Sequence, residues 1–545
     1  MSVKDVIKGI FGAVANEINA VFGYKQTFEQ LLDKKDVSRA IRMLENRSKQ
    51  AEKNLVEYHT KTHKVMSRPT KAIYDKNGHF LRNKEVNRIA IPYPKFINEI
   101  ALVFIYGRPP LWSNATPNPY AEERKELVEQ RNSISNGPQE TNEEEPAKVV
   151  AVNGTVIDQV ANEGAMLDAV ERRIDEIDAY SKANDEKYKR LTDTLEECHF
   201  NSKLREAKRY AGCEGCSAML FHTYQNEGEP QLIIHVLAKS KNDDLYTLFD
   251  QYGQLLVFAR GYTTLNAENK SVSHYDIYTK DFMYYCQNVN GSMWEVEKKP
   301  NLVKKIPAIV FIQETEWDGT QSILDRIENA YSRNADSNDN FADPALVATA
   351  DIVNTLPKQE EESKLYVLKN GGDIKYLERS NANQARQDEI DALDEQAMSK
   401  SFTPNITIEA LRGISNASGT TLEHIMMLGT IKADMRKETH DEYLTRVGNL
   451  MKSIMENVMD VKGGSYKELR INHEFQPPFG DDIASVVERL MRQYGGGGMS
   501  RKTLLEKSPL IDDADKEEER ITIEEKREDE RRKSSAIMDA FSPTM

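Results

Sequence analysis

Two helical segments with a short β-rich stretch between them constrain the fold of this chain more than any other feature. Residues 317–340 repeat apolar side chains at helical spacing, and residues 382–400 have the pattern of a second, acidic helix. Between them, KLYVLKNGGDIKYLE contains two strand-like runs around Asn370-Gly371-Gly372, which is typical of a β-hairpin. This order predicts two long helices that carry a small β unit at their tip.

The region 217–313 has a β pattern. Short runs rich in β-branched and aromatic residues are separated by turn segments such as NEGEP and NVNGS. The predicted strands are SAMLFHTYQ, PQLIIHVLA, QLLVFARGY, SHYDIYT and DFMYYCQ. The tyrosines of 262–285 alternate with apolar residues, which favours packing within a sheet over the stacking of nucleic-acid bases.

Helical patterns dominate on both sides of this β region. Residues 27–62 predict one helix, with Asp36 as a candidate N-cap. The most apolar stretch, 86–112, predicts a second helix. A long charged helix is expected over about 156–210, and a methionine-rich one over 418–460. The chain therefore alternates between mixed α/β units and long helices.

One segment interrupts these patterns. Residues 132–147, NSISNGPQETNEEEPA, have no apolar period, and they predict a mobile loop or insertion. The N-terminal segment MSVKDVIKGIFGAVANEINAVFGYKQ is amphipathic and lacks the long apolar run of a signal peptide, so a surface or partner-docking helix is expected. No stretch approaches the roughly 18 apolar residues of a membrane span, and we expect no membrane partner.

The chain is acidic, with a formal net charge of -15 at pH 7. Proteins that recognise DNA by sequence are usually basic where they bind, so any DNA contact here is expected to be local or weak. Four cysteines in 545 residues are too few for a disulfide framework, which predicts synthesis in a reducing cytoplasm.

The short motifs predict no catalysis. Cys213 and Cys216 form a C-x-x-C motif, but no second pair has zinc-site spacing, which favours packing of small apolar thiols over a metal site. The glycines 495–498 lack the lysine of a phosphate-binding loop and predict a flexible joint between helices. The histidines form no H-E-x-x-H motif, and no G-x-S-x-G is present. We expect no catalytic residue, no metal and no cofactor.

Several segments, taken in order, resemble the portal proteins of tailed bacteriophages, especially the siphophage type. The first shared feature is a helix that ends in an aromatic residue, a glycine, a basic residue and a proline, and wing strands follow it. The later features are a helix after a proline-containing strand, an Asn-x-Ser-Gly turn, and a C-terminal pattern with paired aspartates. The segments are KFINEIALVFIYGRPP, GCSAMLFHTYQNEGEPQLIIHVLAKS, VKKIPAIVFIQETEWDGTQSILDRIENAYSRNADS, ALRGISNASGTTLEHIMMLGTIKADMRKETHDEYL and GGGGMSRKTLLEKSPLIDDADKEEERITIEE. Together they span about residues 86–530.

The resemblance implies an α+β portal fold with an α/β wing, a two-helix stem, a small β-containing clip and a helical C-terminal crown, assembled as a homo-oligomeric ring of typically twelve subunits. The implied segments are the wing 1–316 with the mobile insertion 132–147, the first stem helix 317–340, the clip 341–381, the second stem helix 382–403, the channel loop 404–419, the wing return helix 420–455, and the crown with a charged tail 456–545.

The resemblance also implies a structural role in the virion. A portal ring occupies one capsid vertex, and double-stranded DNA passes through it during packaging and ejection. The implied partners are the terminase, the major capsid protein and scaffold, and the head–tail connector. The chain would be made in the host bacterial cytoplasm and would not be an enzyme.

Acidic residues suit the wall of such a channel. Because Lys and Arg hold phosphates strongly and without regard to sequence, a basic bore would retain DNA, whereas an acidic bore repels the phosphates and keeps the duplex centred. Ile390, Leu393 and Ala397 offer an apolar stripe toward the partner helix. The expected channel residues on the second stem helix are Asp388, Glu389, Asp391, Asp394 and Glu395.

The channel loop is expected to narrow the bore. Its candidate residues are Asn405, Ser415, Asn416, Ser418 and Gly419, whose short side chains suit a mobile constriction. Ser418 is also a good helix N-cap, and the two roles are compatible.

Two other classes of protein were weighed against the portal. A packaging nuclease or ATPase would need a metal-binding acid cluster or a phosphate loop, and neither is visible in the sequence. A capsid shell or scaffold protein would also be structural and stays open as the alternative. The stem–clip–stem order and the Ser-Gly turn favour the portal.

Overall fold

The computed structural model describes residues 27–74, 77–135, 163–289, 291, 293–341, 346–348, 374–376, 382–404, 406, 419–478, 483–511, 514, 517, 518, 520–525 and 527. The chain divides into two units, Met1–Gln476 and Pro477–Met545. Helices and β-sheets are both present, which confirms the α+β class. No helix in the described part of the chain is both long and apolar enough to cross a membrane.

Helices and strands alternate along the first unit. Its helices are α1 (Val37–Arg42), α2 (Ser48–Tyr58), α3 (Tyr93–Tyr106), α4 (Ala121–Ser135), α5 (Glu163–Glu197), α6 (Phe200–Glu214), α7 (Gln321–Phe341), α8 (Ala382–Lys400) and α9 (Gly419–Ile454). The strands are β1 (Glu45–Asn46), β2 (Lys71–Tyr74), β3 (Phe80–Lys84), β4 (Leu111–Asn114), β5 (Cys216–Asn226), β6 (Glu229–Leu237), β7 (Asp244–Phe249), β8 (Leu255–Leu265), β9 (Ser271–Tyr278), β10 (Phe282–Val289), β11 (Glu295–Pro300), β12 (Ala308–Ile312), β13 (Leu346–Ala348), β14 (Ile374–Tyr376) and β15 (Ile471–Glu474).

Two packed antiparallel sheets form the α/β part of the first unit. The larger has the order β1-β7-β8-β9-β10-β11 and the smaller has the order β12-β5-β6. The strands predicted in 217–313 are confirmed as β5, β6, β8, β9 and β10. Turn residues with positive φ, such as Gly228 between β5 and β6, separate the strands as the sequence predicts.

The packing on both faces of strand β5 explains why its sequence is apolar without interruption. Ala218 and Leu220 face the larger sheet, where Leu245 and Phe258 pack. The alternate residues, such as Met219, face helices α6 and α9 on the other side. Because both faces of this strand are buried, the alternation of polar and apolar residues seen in half-exposed strands disappears.

The N-terminal helical region is broken, so the prediction of one helix over 27–62 is wrong. Helical residues 27–33 end where Lys35 adopts a positive φ, and Asp36 then caps α1 by accepting a hydrogen bond from the Arg39 N–H (3.2 Å). Phe28 and its apolar neighbours cover the outer face of the larger sheet.

The long helix predicted over 156–210 also divides, into α5 and α6. His199 between them has a left-handed φ of 54°, which an α-helix cannot contain. Helix α4 packs on α5 around the fully buried Leu127 and continues through Ser135, into the segment predicted as an insertion at 132–147. The rest of that segment lies outside the described residues.

Helices α7 and α8 pack against each other at the positions where a stem pair was expected. Helix α7 begins at Gln321, after a turn in which the Thr320 hydroxyl donates to the Trp317 carbonyl (2.6 Å), and α8 ends at Lys400. Strand β14 pairs with β13. The Asn370-Gly371-Gly372 turn and the strand predicted before it lie outside the described residues.

The second unit contains α10 (Ile483–Gly495) and α11 (Arg501–Lys507). Glycines 496–498 lie between these helices, where the sequence predicts a joint, and Gly497 has a φ of 73°, which favours glycine. Ser500 caps α11 by accepting from the Thr503 N–H (3.2 Å).

Candidate functional site

The five acids expected on the second stem helix do not share one environment. Asp388, Asp391 and Glu395 are exposed, and their spacing places them on one face of α8. On the other side of the helix, Ile390 and Ala397 are completely buried. Helix α8 therefore has an acidic face of three residues opposite its packing face.

The other two acids lie beside the packing face and contact α7 and α3. Glu389 accepts two hydrogen bonds from the Arg326 guanidinium of α7 (2.6 and 2.9 Å). Asp394 accepts a hydrogen bond from the Tyr93 hydroxyl at the start of α3. Burial, and then the contact with Asp394, raise the pKa of Tyr93 far above its usual range, so this hydroxyl stays a donor. Glu389 thus links α8 to α7, and Asp394 links α8 to α3.

Most of the expected channel-loop residues lie outside the described part of the chain, namely Asn405, Ser415, Asn416 and Ser418. Gly419 is the first residue of α9. At the other end, Ile406 packs beside Phe104 of α3 and beside Met426 and Ala433 of α9.

A row of polar side chains on α7 binds a segment that the sequence did not link to the stem. The Glu328 carboxylate accepts from the His63 ring (2.6 Å) and from the Ile91 N–H (2.8 Å). One turn further, the Ser332 hydroxyl accepts from the Ile89 N–H (2.9 Å). Residues spaced by four along a helix share a face, so α7 offers a polar ladder to residues 63–68 and 87–91.

The ladder continues with Asp336. Its carboxylate accepts from the Arg68 guanidinium (2.8 Å) and from the Asn87 N–H (2.6 Å), while the Asn87 side chain donates to Asp339 (2.6 Å). Arg68 also donates to the Asn87 carbonyl (2.5 Å). These bonds join the two arms of a hairpin to α7. The sequence signal was the repeat of Glu, Ser and Asp at four-residue spacing, which the apolar period of the same helix masked.

The hairpin formed by β2 and β3 projects beyond this anchor. Within the described residues, the two strands pair only with each other. Tyr74 and Leu81 are both 60% exposed, and Lys71, Arg82 and Lys84 are exposed as well. The polar ladder thus fixes the base of an apolar and basic hairpin to the stem.

A buried cluster of charges joins the segment before α7 to α6 and to α9. Glu316 lies just before α7, and its carboxylate meets Lys208 of α6 and, at 3.3 and 3.5 Å, Lys432 and Arg436 of α9. The side chains of Lys208 and Glu316 are 1% and 0% exposed. Burial alone would raise the pKa of Glu316, but the three cations outweigh it and hold that pKa well below its usual range.

Lys432 also makes contacts that its neighbours in the cluster do not make. Its ammonium donates to the backbone carbonyl of Glu316 (2.7 Å) and to that of Ser401, just after α8 (2.9 Å). Burial lowers the pKa of Lys432 to about 8, against the opposing effect of Glu316. No motif connects residues 208, 316 and 432, so this cluster could not be predicted from spacing in the sequence.

The C-x-x-C cysteines are free thiols and are buried in different places. Cys213 belongs to the cluster around Trp317, whereas Cys216 lies between the two sheets. Burial raises the pKa of Cys216 to about 12, which disfavours the thiolate that a metal requires. Within the described residues, no group of three or more His, Cys, Asp or Glu is placed to hold a metal ion.

Residues 175–531 match the family "Phage portal protein, SPP1 Gp6-like", a range that includes strands β5 to β12 and helices α7, α8 and α9. No curated protein matches the chain.

Two solved structures of gene transfer agent (GTA) particles are similar to part of the chain. One is the neck of a native particle computed with C12 symmetry, with 12% identity and a TM-score of 0.33 over 56% of this chain and 78% of that chain. The other is the virion of a native particle, with 13% identity and a TM-score of 0.31 over the same shares. Similarity at this level carries no argument about assembly. The family match is different, because it spans more than half of the 545 residues, and the chain therefore belongs to the SPP1 Gp6-like phage portal protein family, a structural family.

Proposed function

We propose that this chain is the ring-forming subunit of a phage portal, with the stem helices around a channel for double-stranded DNA. Family membership supports the role, and the exposed acidic face of α8 carries the channel assignment. Asp388, Asp391 and Glu395 are the acids that α7 and α3 leave exposed, so they are the ones that face the bore.

The charge of this face suits transport rather than binding. A ring repeats the three carboxylates once per subunit, which gives the bore a negative potential around its whole circumference. DNA phosphates are repelled from every side, and the duplex stays near the axis without adhering to the wall. The exposed position of the carboxylates leaves this repulsion sensitive to salt.

The remaining elements complete the proposal. The loop that ends at Gly419 narrows the channel. Terminase docks during packaging and the head–tail connector afterwards, while the major capsid protein and scaffold surround the ring in the virion. The ring has about twelve subunits and is made in the bacterial cytoplasm. It needs no cofactor and has no enzymatic activity of its own.

Electron microscopy of the purified protein tests the assembly. We expect rings of about twelve subunits with a central hole. Closed shells would instead support a capsid shell or scaffold protein, and a protein that stays monomeric under assembly conditions would contradict the portal role.

A charge-reversal experiment tests the channel. The variant D388K/D391K/E395K makes the proposed bore basic, and the control E171K/E229K/E268K makes the same change in charge at exposed positions away from the stem. We expect both to form rings, and only the stem variant to slow DNA packaging, with partial recovery at higher salt. Equal packaging by both variants would remove these residues from the bore.

A further inference from the structure

A cleft of about 1040 Å³ is lined by residues of both sheets and of α9. The turn between β7 and β8, the turn between β9 and β10, and the segment 304–306 that leads into β12 contribute to its walls. None of the residues that line it belongs to α7 or α8. A cleft of this size, lined by both apolar and charged groups, is the usual form of a ligand site.

Three lysines of this cleft have no carboxylate partner. Lys280, Lys304 and Lys305 form no ion pair within the part of the chain that the structure describes. The ammonium of Lys305 donates to the Asn449 carbonyl (2.9 Å). Partial burial lowers the pKa of Lys305, and the charges of Lys452 and Lys280 lower it further. Like charges this close repel one another, and an anion placed among them would relieve the repulsion.

The acids of the cleft do not balance these lysines. Glu442 binds Arg446 one turn further along α9 (2.5 Å). The Asp250 carboxylate accepts two backbone N–H groups of its own turn (2.8 Å each). Asp281 is the third acid of the lining and can offset only one of the lysine charges. The cleft therefore keeps an excess of positive charge.

Asn301 fixes the two segments that carry the lysines. It is 5% exposed, and its side-chain amide donates to the carbonyls of Thr279 and Lys305 (2.8 Å each). Lys304 has a φ of 58°, in the left-handed region that lysine rarely adopts. Strained backbone that the surrounding bonds hold in place is typical of binding sites. The lysines thus extend from a fixed backbone and not from a freely moving loop.

We propose that this cleft binds an acidic peptide segment of a partner protein. Carboxylates of the peptide meet the three lysines, and its apolar side chains lie against the apolar part of the lining, which includes Leu255, Ile306 and Leu450. Lysine suits this role, because its three donors rotate on a flexible side chain and can follow a carboxylate whose exact position varies.

A peptide fits the cleft better than nucleic acid does. A nucleic acid carries a phosphate at every unit, and Asp250, Asp281 and Glu442 would repel these phosphates. A sugar–phosphate chain would also leave the apolar lining without an apolar partner. A peptide can place acidic side chains beside the lysines and apolar ones elsewhere.

The test measures binding of a labelled synthetic peptide with the repeat Glu-Glu-Leu to the purified full chain by fluorescence anisotropy. The variant K280Q/K304N/K305Q removes the three charges, with asparagine at 304 because it tolerates a positive φ. We expect this variant to bind the peptide at least about tenfold more weakly than the native protein does, since three ion pairs at a partly exposed site are lost.

The matched control K49Q/K53Q/K182Q makes the same change in charge at exposed positions outside the cleft. We expect it to bind the peptide as the native protein does. Equal weakening in the two variants would overturn the proposal, because binding would then follow net charge alone. A second peptide with the repeat Glu-Glu-Gly has the same charge and should bind the native protein more weakly, since it leaves the apolar lining uncovered.

A duplex DNA oligonucleotide serves as the competing ligand. We expect its binding to be the same in the native protein and in K280Q/K304N/K305Q. If the DNA bound through these lysines more tightly than the Glu-Glu-Leu peptide, the cleft would be a nucleic-acid site and the proposal would be wrong.

Hydrogen exchange on the native protein provides a test that needs no substitution. The Glu-Glu-Leu peptide should slow amide exchange at least about threefold in the turn between β7 and β8 and in residues 302–306, because it covers both segments. Unaltered exchange in both segments at saturating peptide would overturn the proposal, even if the substituted chains failed to fold.

Discussion

Helix α8 and the segment that leads into α7 carry charged residues in two contrasting environments. Along α8, Asp388, Asp391 and Glu395 are exposed and opposite the packing face. At the base, Glu316 is fully buried among Lys208, Lys432 and Arg436. Exposed charges contribute little to stability but set the potential that a ligand meets, whereas buried charges fix the positions of the elements that they connect. The contrast predicts opposite outcomes when either set is neutralised.

The largest effect is expected for Glu316→Gln. This change leaves Lys208, Lys432 and Arg436 near one another without their carboxylate, and a broken buried ion pair costs about 3–5 kcal/mol. Chemical denaturation of the purified protein measures the loss. The exposed Glu395→Gln serves as the control. A loss below about 1 kcal/mol, the usual value of an exposed pair, would show that water reaches the cluster.

Lowering the pH should reduce the contribution of the same residue, Glu316, to the stability of the folded chain. Because the pKa of Glu316 lies below its ordinary value in the folded chain, its contribution is present above the unfolded pKa and is lost as the pH falls toward the folded one. The stability difference between the native protein and Glu316→Gln should therefore shrink below about pH 4.5, the ordinary value for glutamate.

A second buried carboxylate, Asp276 on strand β9, should give the opposite dependence of stability on pH. Asp276 has Arg260 at 3.9 Å, but that guanidinium hydrogen-bonds Asp243 (2.7 Å). Burial raises the pKa of Asp276 to about 6. Between the unfolded value of 3.8 and about 6, the folded chain holds a proton that the unfolded chain has lost, so stability falls as the pH rises through this window.

Asp276→Asn removes this dependence. Relative to the native protein, the variant should gain up to about 3 kcal/mol between pH 4 and pH 7, the equivalent of the pKa shift. Thermal unfolding across this range measures the gain, with Glu268→Gln, at an exposed turn, as the control. A difference between variant and native protein that does not change with pH would mean that folding does not shift the pKa of Asp276.

The polar ladder of α7 is half-buried, so its contribution to stability should lie between that of the exposed acids and that of the buried cluster around Glu316. Asp336→Ala removes the acceptor of Arg68 and of the Asn87 N–H and should cost about 1–3 kcal/mol. The loss should be local, because the hairpin that it anchors has no other partner strand among the described residues. Limited proteolysis should show new cleavage within 69–86 while the wing stays intact. Unchanged cleavage would show that the remaining ladder residues suffice.

The elements that the sequence predicted well have local causes. The wing strands follow from β-rich runs between turn residues, and the bounds of α7, α8 and α9 lie within a few residues of the predicted helices. The apolar positions Ile390 and Ala397 are buried, as expected for the face toward a partner helix. Each of these features depends on residues within a few turns of one another.

The elements that were missed depend on distant contacts. The cluster around Glu316 unites residues from α6, α9 and the approach to α7, and no spacing rule connects them. The breaks at Lys35 and His199 require left-handed backbone that their side chains do not signal. The sequence could have predicted that the five acids of α8 have different environments. Asp394 lies one turn after Ile390 of the apolar stripe and is therefore beside it on the helix surface.

The smallest effect on stability is expected for the exposed acids, and this prediction separates the two environments most directly. The variant D388N/D391N/E395Q should change stability by no more than about 1 kcal/mol, because exposed charged contacts, such as the hydrogen bond that Asp391 accepts from Gln387 (2.8 Å), contribute little. The variant E389Q/D394N alters the same helix and removes the charged partners of Arg326 and Tyr93. It should therefore be the less stable of the two, although it changes fewer residues.

For DNA packaging we expect the opposite order, with a larger effect from the exposed acids than from Glu389 and Asp394. Neutralising the exposed face reduces the repulsion of phosphates in the proposed bore, so packaging should slow, whereas E389Q/D394N should package normally wherever its rings persist. Thermal unfolding and a packaging assay on the same preparations measure both properties. If D388N/D391N/E395Q instead dissociated the rings, these acids would lie between subunits, and the channel would have to be lined by another face of the stem.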